Sequence, residues 1–193
     1  MNQFDLTGFT GKGYDRGRPL WMQLAWMVVS RTILSRWWFP VRARVTVLRL
    51  FGADIGRDVV FRHGVTVHWP WKLRVGDGSW IGEGTWLLNL EPITIGANTC
   101  ISQGVMLCTG SHDRRSPTFE FDNAPIEIGD LVWLATRATV LRGVNVGAGS
   151  TVGATALITR DVAPGSLVLA SSAYLRESEF VAGDPLVPTV RQS

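Results

Sequence analysis

The chain predicts an all-β solenoid, a parallel β-helix of about five coils with an N-terminal helical cap, on three observations. First, a large apolar residue recurs every sixth position: Ile55, Phe61, Val67; Val75, Ile81, Leu87; Ile95, Ile101, Leu107; then Ile128, Leu134, Val140, Val146, Val152, Ile158. Second, four residues after each stands a small or β-branched residue, such as Val59, Ser79, Thr99, Ala138, Ser150 and Ala156. Third, glycine often follows the apolar position directly, as at Gly56, Gly76, Gly96, Gly129 and Gly147. Three hexads make one triangular coil. The apolar side chain points inward, the small one fills a corner, and glycine is expected to allow unusual corner dihedrals.

Residues 1–52 form the arm and cap. Residues 1–17 are polar and Gly-rich and read as a loop. Pro19 suits a helix start, and Leu20, Trp21, Leu24, Met27, Val28 and Leu34 keep helical spacing. Pro40 breaks that helix, and a second, Val41 to Phe51, ends at Gly52. The open end of a solenoid needs a cover, which is one task for this segment. Its Trp and Arg also suit a membrane interface, so residues 18–51 are a candidate peripheral membrane contact.

The β-helix spans 53–165. The first two coils restart after 20 residues rather than 18, with the extra pair in the third hexad each time. The third coil breaks at the same place, with an inserted loop at 108–127. One edge of the prism therefore collects every insertion, and long loops on rigid scaffolds tend to hold function. Residues 166–193 read as a C-terminal tail that leaves the solenoid.

The 193 residues suffice for one domain with a real core. A net charge of +3 is too mild for a nucleic-acid-binding composition. Two cysteines, Cys100 and Cys108, make no disulfide framework, and Met1 to Asp5 open no secretory signal. The apolar stretch from Leu20 to Ser30 is too short to span a bilayer. The expected location is the cytoplasm, with membrane association as the variant.

The candidate chemistry sits at the loop base, in Thr109-Gly110-Ser111-His112-Asp113. Histidine is the usual general base for a hydroxyl near neutral pH. A lone loop histidine is otherwise a solvated side chain, and what singles out His112 is its place at the irregular edge. Asp113 is a candidate to orient the ring.

Arg49-Leu50-Phe51-Gly52-Ala53-Asp54-Ile55-Gly56, Pro70-Trp71-Lys72-Leu73, Ile101-Ser102-Gln103-Gly104, the His112 segment and Trp133-Leu134-Ala135-Thr136 together resemble the hexapeptide acyltransferases. More narrowly they resemble the colanic acid biosynthesis acetyltransferases, in the group of maltose and galactoside O-acetyltransferases. The resemblance covers about residues 18–168. It implies a left-handed β-helix, a homotrimer, and acetyl-CoA bound between subunits, with no metal. The reaction implied is acetyl transfer to a sugar hydroxyl in exopolysaccharide or glycan biosynthesis. His112 matches the catalytic base. Asn89 falls where relatives place a residue beside the acceptor, though a plain turn role fits it equally. Trp133, Ala135, Thr136, Ala154, Thr159 and Arg160 fall along the donor groove. Of these, Thr136 matches the position whose N–H faces the oxyanion in relatives, and Arg160 takes the place of their Lys near the CoA phosphates. Ala170-Ser171-Ser172-Ala173-Tyr174 departs from the relatives' Gly-Asn-Pro-Ala and its basic residue, which bears on the nucleotide end of the CoA site.

Two other readings stand beside this one. A catalytically silent trimeric scaffold would need no His112. A zinc enzyme of the carbonic-anhydrase type would need His63, His68 and His112 to converge, although His63 and His68 lie two coils away from His112 and the order of pair and lone histidine is reversed.

Overall fold

A computed structural model describes residues 5–171. Helix α1 (Leu20–Val29) begins directly after Pro19 and continues as a π-helical turn over Ser30–Leu34. Helix α2 (Val41–Leu50) starts after Pro40. Gly52, at φ 93, then turns the chain in a conformation that side chains resist. The pair covers the open end of the solenoid. Val45 and Leu48 of α2 are buried, and the Trp26 indole N–H donates to the carbonyls of Val67 (3.1 Å) and His68 (2.9 Å). A buried indole needs such an acceptor.

The coils follow in order. The first holds β1 (Asp54–Ile55), β2 (Val60–Phe61) and β3 (Thr66–Val67). The second holds β4 (Leu73–Val75), β5 (Trp80–Ile81) and β6 (Trp86–Leu88). The third holds β7 (Ile93–Ile95), β8 (Cys100–Ile101) and β9 (Met106–Cys108). The fourth holds β10 (Ile126–Ile128), β11 (Trp133–Leu134) and β12 (Thr139–Leu141). The fifth holds β13 (Asn145–Val146), β14 (Thr151–Val152) and β15 (Leu157–Ile158), and β16 (Leu167–Val168) lies beyond. They stack into three parallel sheets, β1-β4-β7-β10-β13, β2-β5-β8-β11-β14-β16 and β3-β6-β9-β12-β15.

The six-residue beat is the core. Ile81, Leu87, Leu107, Leu134, Val140, Val146 and Val152 are fully buried. Each such side chain contributes roughly 1.5–3 kcal/mol of burial. The corner hydroxyls tie one coil to the next: Ser79 donates to the Gly96 carbonyl (2.7 Å), and Thr99 to that of Gly129 (2.8 Å). These bonds let polar atoms sit in a dry core.

Two expectations are corrected. The glycines after the apolar position do not supply unusual dihedrals; they let coils approach. A Cβ at Gly76 would lie 2.5 Å from the Ala97 nitrogen, and one at Gly129 2.6 Å from that of Ala148. The left-handed residues stand two positions later, at Asp58 (φ 55), Gly78 (φ 70), Asn98 (φ 50) and Leu131 (φ 57). The solenoid also runs past residue 165 into a sixth coil, because Val162 bridges Val146 and β16 pairs with β14. Its hexads are blurred by Pro164, which hides the beat. Residues 172–193, most of the expected tail and of the Ala170–Tyr174 departure, lie outside the described residues.

The outward faces differ. The first sheet presents Asp54, Arg74, Thr94, Glu127 and Asn145, with Arg74 paired to Asp54 at 2.9 Å. The other two present Trp80, Cys100 and Trp133, and Trp86, Met106 and Leu157. About half or more of each of these tryptophans is exposed. Contiguous apolar surface of this kind marks an interface.

Candidate active site

The insertions stack at the edge between the third sheet and the first. In the second coil Asn89 is fully buried there. Its Oδ1 accepts from the backbone N–H of His68 (3.1 Å) and Trp69 (3.0 Å), and its Nδ2 donates to the Trp69 carbonyl (2.5 Å). Thr109, also buried, donates its hydroxyl to the Leu88 carbonyl and accepts from the Glu91 N–H, both at 2.9 Å. Each bulge is thus held by a polar side chain of the next coil, and the long loop is the last in that ladder.

The loop folds as a small hairpin. Ala124 N–H reaches the Thr109 carbonyl (3.1 Å), Asp122 that of Ser111 (2.9 Å), and Asp113 that of Glu120 (2.8 Å). His112 bridges Phe121 across it. The turn brings Phe119 into the left-handed region, φ 55, which is costly for a bulky residue. That turn aims the Phe119 carbonyl at His112 Nδ1, 2.8 Å away. A carbonyl only accepts, so Nδ1 holds the proton and Nε2 of the neutral ring keeps its lone pair. The ring lies stacked with Phe119 (centroids 4.5 Å apart) and Phe121 (5.0 Å), and meets the edge of Phe9 (5.6 Å). Asp113 does not orient it; its carboxylate caps the Arg115 N–H at 2.8 Å.

Sequence reasoning missed this support. The N-terminal arm clasps the loop. Thr10 donates both its N–H and its hydroxyl to Glu120 Oε1 at 3.0 Å, and Phe9 and Tyr14 pack on Phe121. The Phe119-Glu120-Phe121 alternation was the available signal: aromatics on one face of a strand, a carboxylate on the other. The Thr10 N–H first, helped by the Thr118 and Thr10 hydroxyls, holds the Glu120 carboxyl below its ordinary value. A lowered acid stabilises the clasp above the usual glutamate range, and that support is lost as pH falls through the depressed value. Limited proteolysis within the arm should therefore accelerate on acidification below about pH 4.5. Glu120→Gln should weaken the clasp at neutral pH and flatten that dependence.

The residues expected along the donor groove fall in three places. Thr159 and Arg160 follow β15 on the His112 edge, both exposed. Trp133 lies on the outer face of the second sheet, its indole N–H donating to Ser102 Oγ (3.0 Å). Ala135, Thr136 and Ala154 lie at the edge between the second sheet and the third. There the Thr136 carbonyl accepts from the Thr155 N–H (2.9 Å), and the Thr136 N–H makes no hydrogen bond among the described residues. The left-handed corner position next to them is Gly64, Gly84 and Gly104 in three coils. In the last two it is Arg137 (φ 59) and Thr155 (φ 61). Strain at a β-branched residue concentrates at functional corners. Strands of the third sheet separate this edge from His112 within one chain. His63 pairs with Glu83 (2.9 Å) on a corner apart from His68 and His112, so the three histidines do not converge.

No family model matches the chain. An Escherichia coli (strain K12) protein, "Putative colanic acid biosynthesis acetyltransferase WcaF", is 47% identical over 154 residues, covering 78% of this chain and 83% of that protein. The galactoside O-acetyltransferase of the same organism is 26% identical over 133 residues, 64% of this chain and 63% of that one. Among solved structures, a hexapeptide-repeat acetyltransferase of Vibrio cholerae O1 biovar eltor, complexed with acetyl coenzyme A, aligns with a TM-score of 0.74. It is 25% identical and covers 83% of this chain and 89% of its own. With near-half identity across most of both sequences, and a matching stack of parallel coils, the chain belongs to the hexapeptide-repeat acetyltransferases, in the group of the colanic acid biosynthesis acetyltransferases.

Proposed function

We propose that the protein is an O-acetyltransferase that moves an acetyl group from acetyl-CoA to a sugar hydroxyl in polysaccharide biosynthesis, with His112 as general base. One observation carries the catalytic assignment: the Phe119 carbonyl on Nδ1 leaves Nε2 as the only basic nitrogen of His112, at the edge where the insertions gather. Nε2 takes the hydroxyl proton as the sugar oxygen forms its bond to the thioester carbonyl carbon. The oxyanion of the tetrahedral intermediate is met by the uncommitted Thr136 N–H. The C–S bond then breaks, and the CoA thiolate takes the proton back from Nε2.

The site is shared between subunits of a homotrimer. His112 and Thr136 occupy different edges of one chain, so a neighbouring copy must bring them together. The exposed Trp80, Trp86 and Trp133 rows give that copy an apolar face to cover. The fit to acetyl-CoA rests on the same features: an apolar flank for the pantetheine arm beside Trp133 and Ala154, and the Arg160 guanidinium for phosphate. Asn89 supports the edge from within. The helical cap faces a membrane surface, and acetyl-CoA as donor places the reaction in the cytoplasm. Among the described residues no helix is long and apolar enough to cross a membrane.

Subunit complementation tests the shared site. His112→Ala and the groove-blocking Ala154→Trp should each be inactive. Co-refolded in equal amounts, they should recover about one-quarter of wild-type activity, because each mixed trimer keeps one intact site of its three. No recovery from well-formed mixed trimers would place the whole site in one chain.

A further inference from the structure

The cap and the first coil enclose a cavity of about 450 Å³ with an apolar floor that includes Trp26, Leu48, Phe61 and Val67. Arg31, Arg44 and Arg62 line it, and no acidic side chain does. Arg44 is 4% exposed. Its Nε and Nη2 donate to the carbonyls of Leu34 (3.3 Å) and Arg36 (2.5 Å), at the end of the first helical segment. That capping satisfies donors and suits the helix dipole, but it supplies no opposite charge. Burial lowers the pKa of Arg44, as expected of a cation without a counterion. Arg31 and Arg62 form no ion pair among the described residues. His68, on the same wall, is held toward its neutral form by burial, then by Arg16 and Lys72, and no form of it is a counterion for the arginines.

The surface around this cavity is equally one-sided. From Arg16 to Ala53 the chain has seven arginines and no Asp or Glu. Trp21, Leu24 and Val28 share one face of α1, and with Trp37 and Trp38 they are all more than half exposed. Covering the solenoid end explains the buried Trp26 and Leu48. It does not explain an apolar outer face ringed by cations that have no ion pair among the described residues.

We propose that this cavity binds the phosphate of an anionic phospholipid, while the Trp21–Trp38 face lies in the bilayer interface. The Arg31 and Arg62 guanidinium forks match phosphate oxygens, the apolar floor accommodates the start of an acyl chain, and the exposed Trp21, Trp37 and Trp38 of the cap suit the headgroup region. The proposal rests on the reading that the cap faces a membrane, and it names the lipid class and the site.

The test uses the full-length protein. Flotation should show at least about tenfold tighter binding to phosphatidylcholine vesicles containing one-third phosphatidylglycerol than to phosphatidylcholine alone. Dihexanoyl phosphatidylglycerol below its micelle concentration should titrate at one site per chain, and inorganic phosphate should not displace it at millimolar levels. The Arg31→Glu/Arg62→Glu pair is solvent-facing and leaves the core alone. It should abolish the titration and reduce vesicle binding to the neutral-lipid level, with melting temperature unchanged.

Equal binding to both vesicle types would leave the membrane contact standing and overturn the phosphate site. Binding to neither would overturn both. Displacement by inorganic phosphate would make the ligand a soluble phosphate compound and overturn the lipid assignment. No acetyl transfer is read, so these outcomes are independent of the role of His112.

Discussion

His112→Ala is expected to lower kcat by at least about 100-fold, the usual scale for loss of a positioned general base. The KM for acetyl-CoA should stay within a few-fold, because the ring contributes a proton acceptor rather than a hold on the donor. The substitution is also expected to fold. The side chain is exposed, and the hairpin beneath it is held by backbone bonds from Asp113, Asp122 and Ala124. Removing the ring costs the stacking on Phe119 and Phe121, about 1 kcal/mol or less at an exposed site. Steady-state kinetics with an acetyl-acceptor glycoside, alongside a thermal melt, separate these effects. Near-normal kcat in a folded variant would eliminate the mechanism. A parallel fall in kcat and Tm would instead assign His112 to the loop's architecture.

Asn89→Ala should be severe in a different currency. Its amide serves the N–H groups of His68 and Trp69 and the Trp69 carbonyl, all where water does not reach the side chain. Leaving such groups unpaired costs about 1–3 kcal/mol each before relaxation, so a net loss of about 3 kcal/mol is expected. For a domain of this size that lowers Tm by about 10 °C. Asn89→Asp should fare no better, since a buried carboxylate cannot donate to the Trp69 carbonyl. If Asn89 instead touches the acceptor sugar, Asn89→Ala will raise the acceptor KM with Tm unchanged. Differential scanning calorimetry and acceptor kinetics on the same preparation distinguish the two.

The contrast between these residues shows what the sequence could reveal. Both stand at insertions on one edge. Sequence alone located the edge, since the lengthened third hexads mark it in every early coil. It could not say that Asn89 points inward to a neighbouring coil while His112 points out. That depends on how a bulge at 68–72 stacks on one at 88–92, contacts about 20 residues apart in the chain. The corner glycines were misread for the same reason. Their role is the approach of the next coil's backbone, and no local dihedral records it.

The chain's own sequence determined the solenoid, its core, its cap and its catalytic candidate, because a six-residue period and a proline-bounded helix are local patterns. Only the tertiary structure decided what surrounds the candidate. The Phe119 carbonyl selects the His112 tautomer from seven residues away, and Thr10 reaches Glu120 across 110 residues to hold that loop in place. It also decided that His112 and Thr136 stand on separate edges of the chain. Periodicity describes how each coil repeats, whereas the surroundings of His112 are built where different coils and the arm meet.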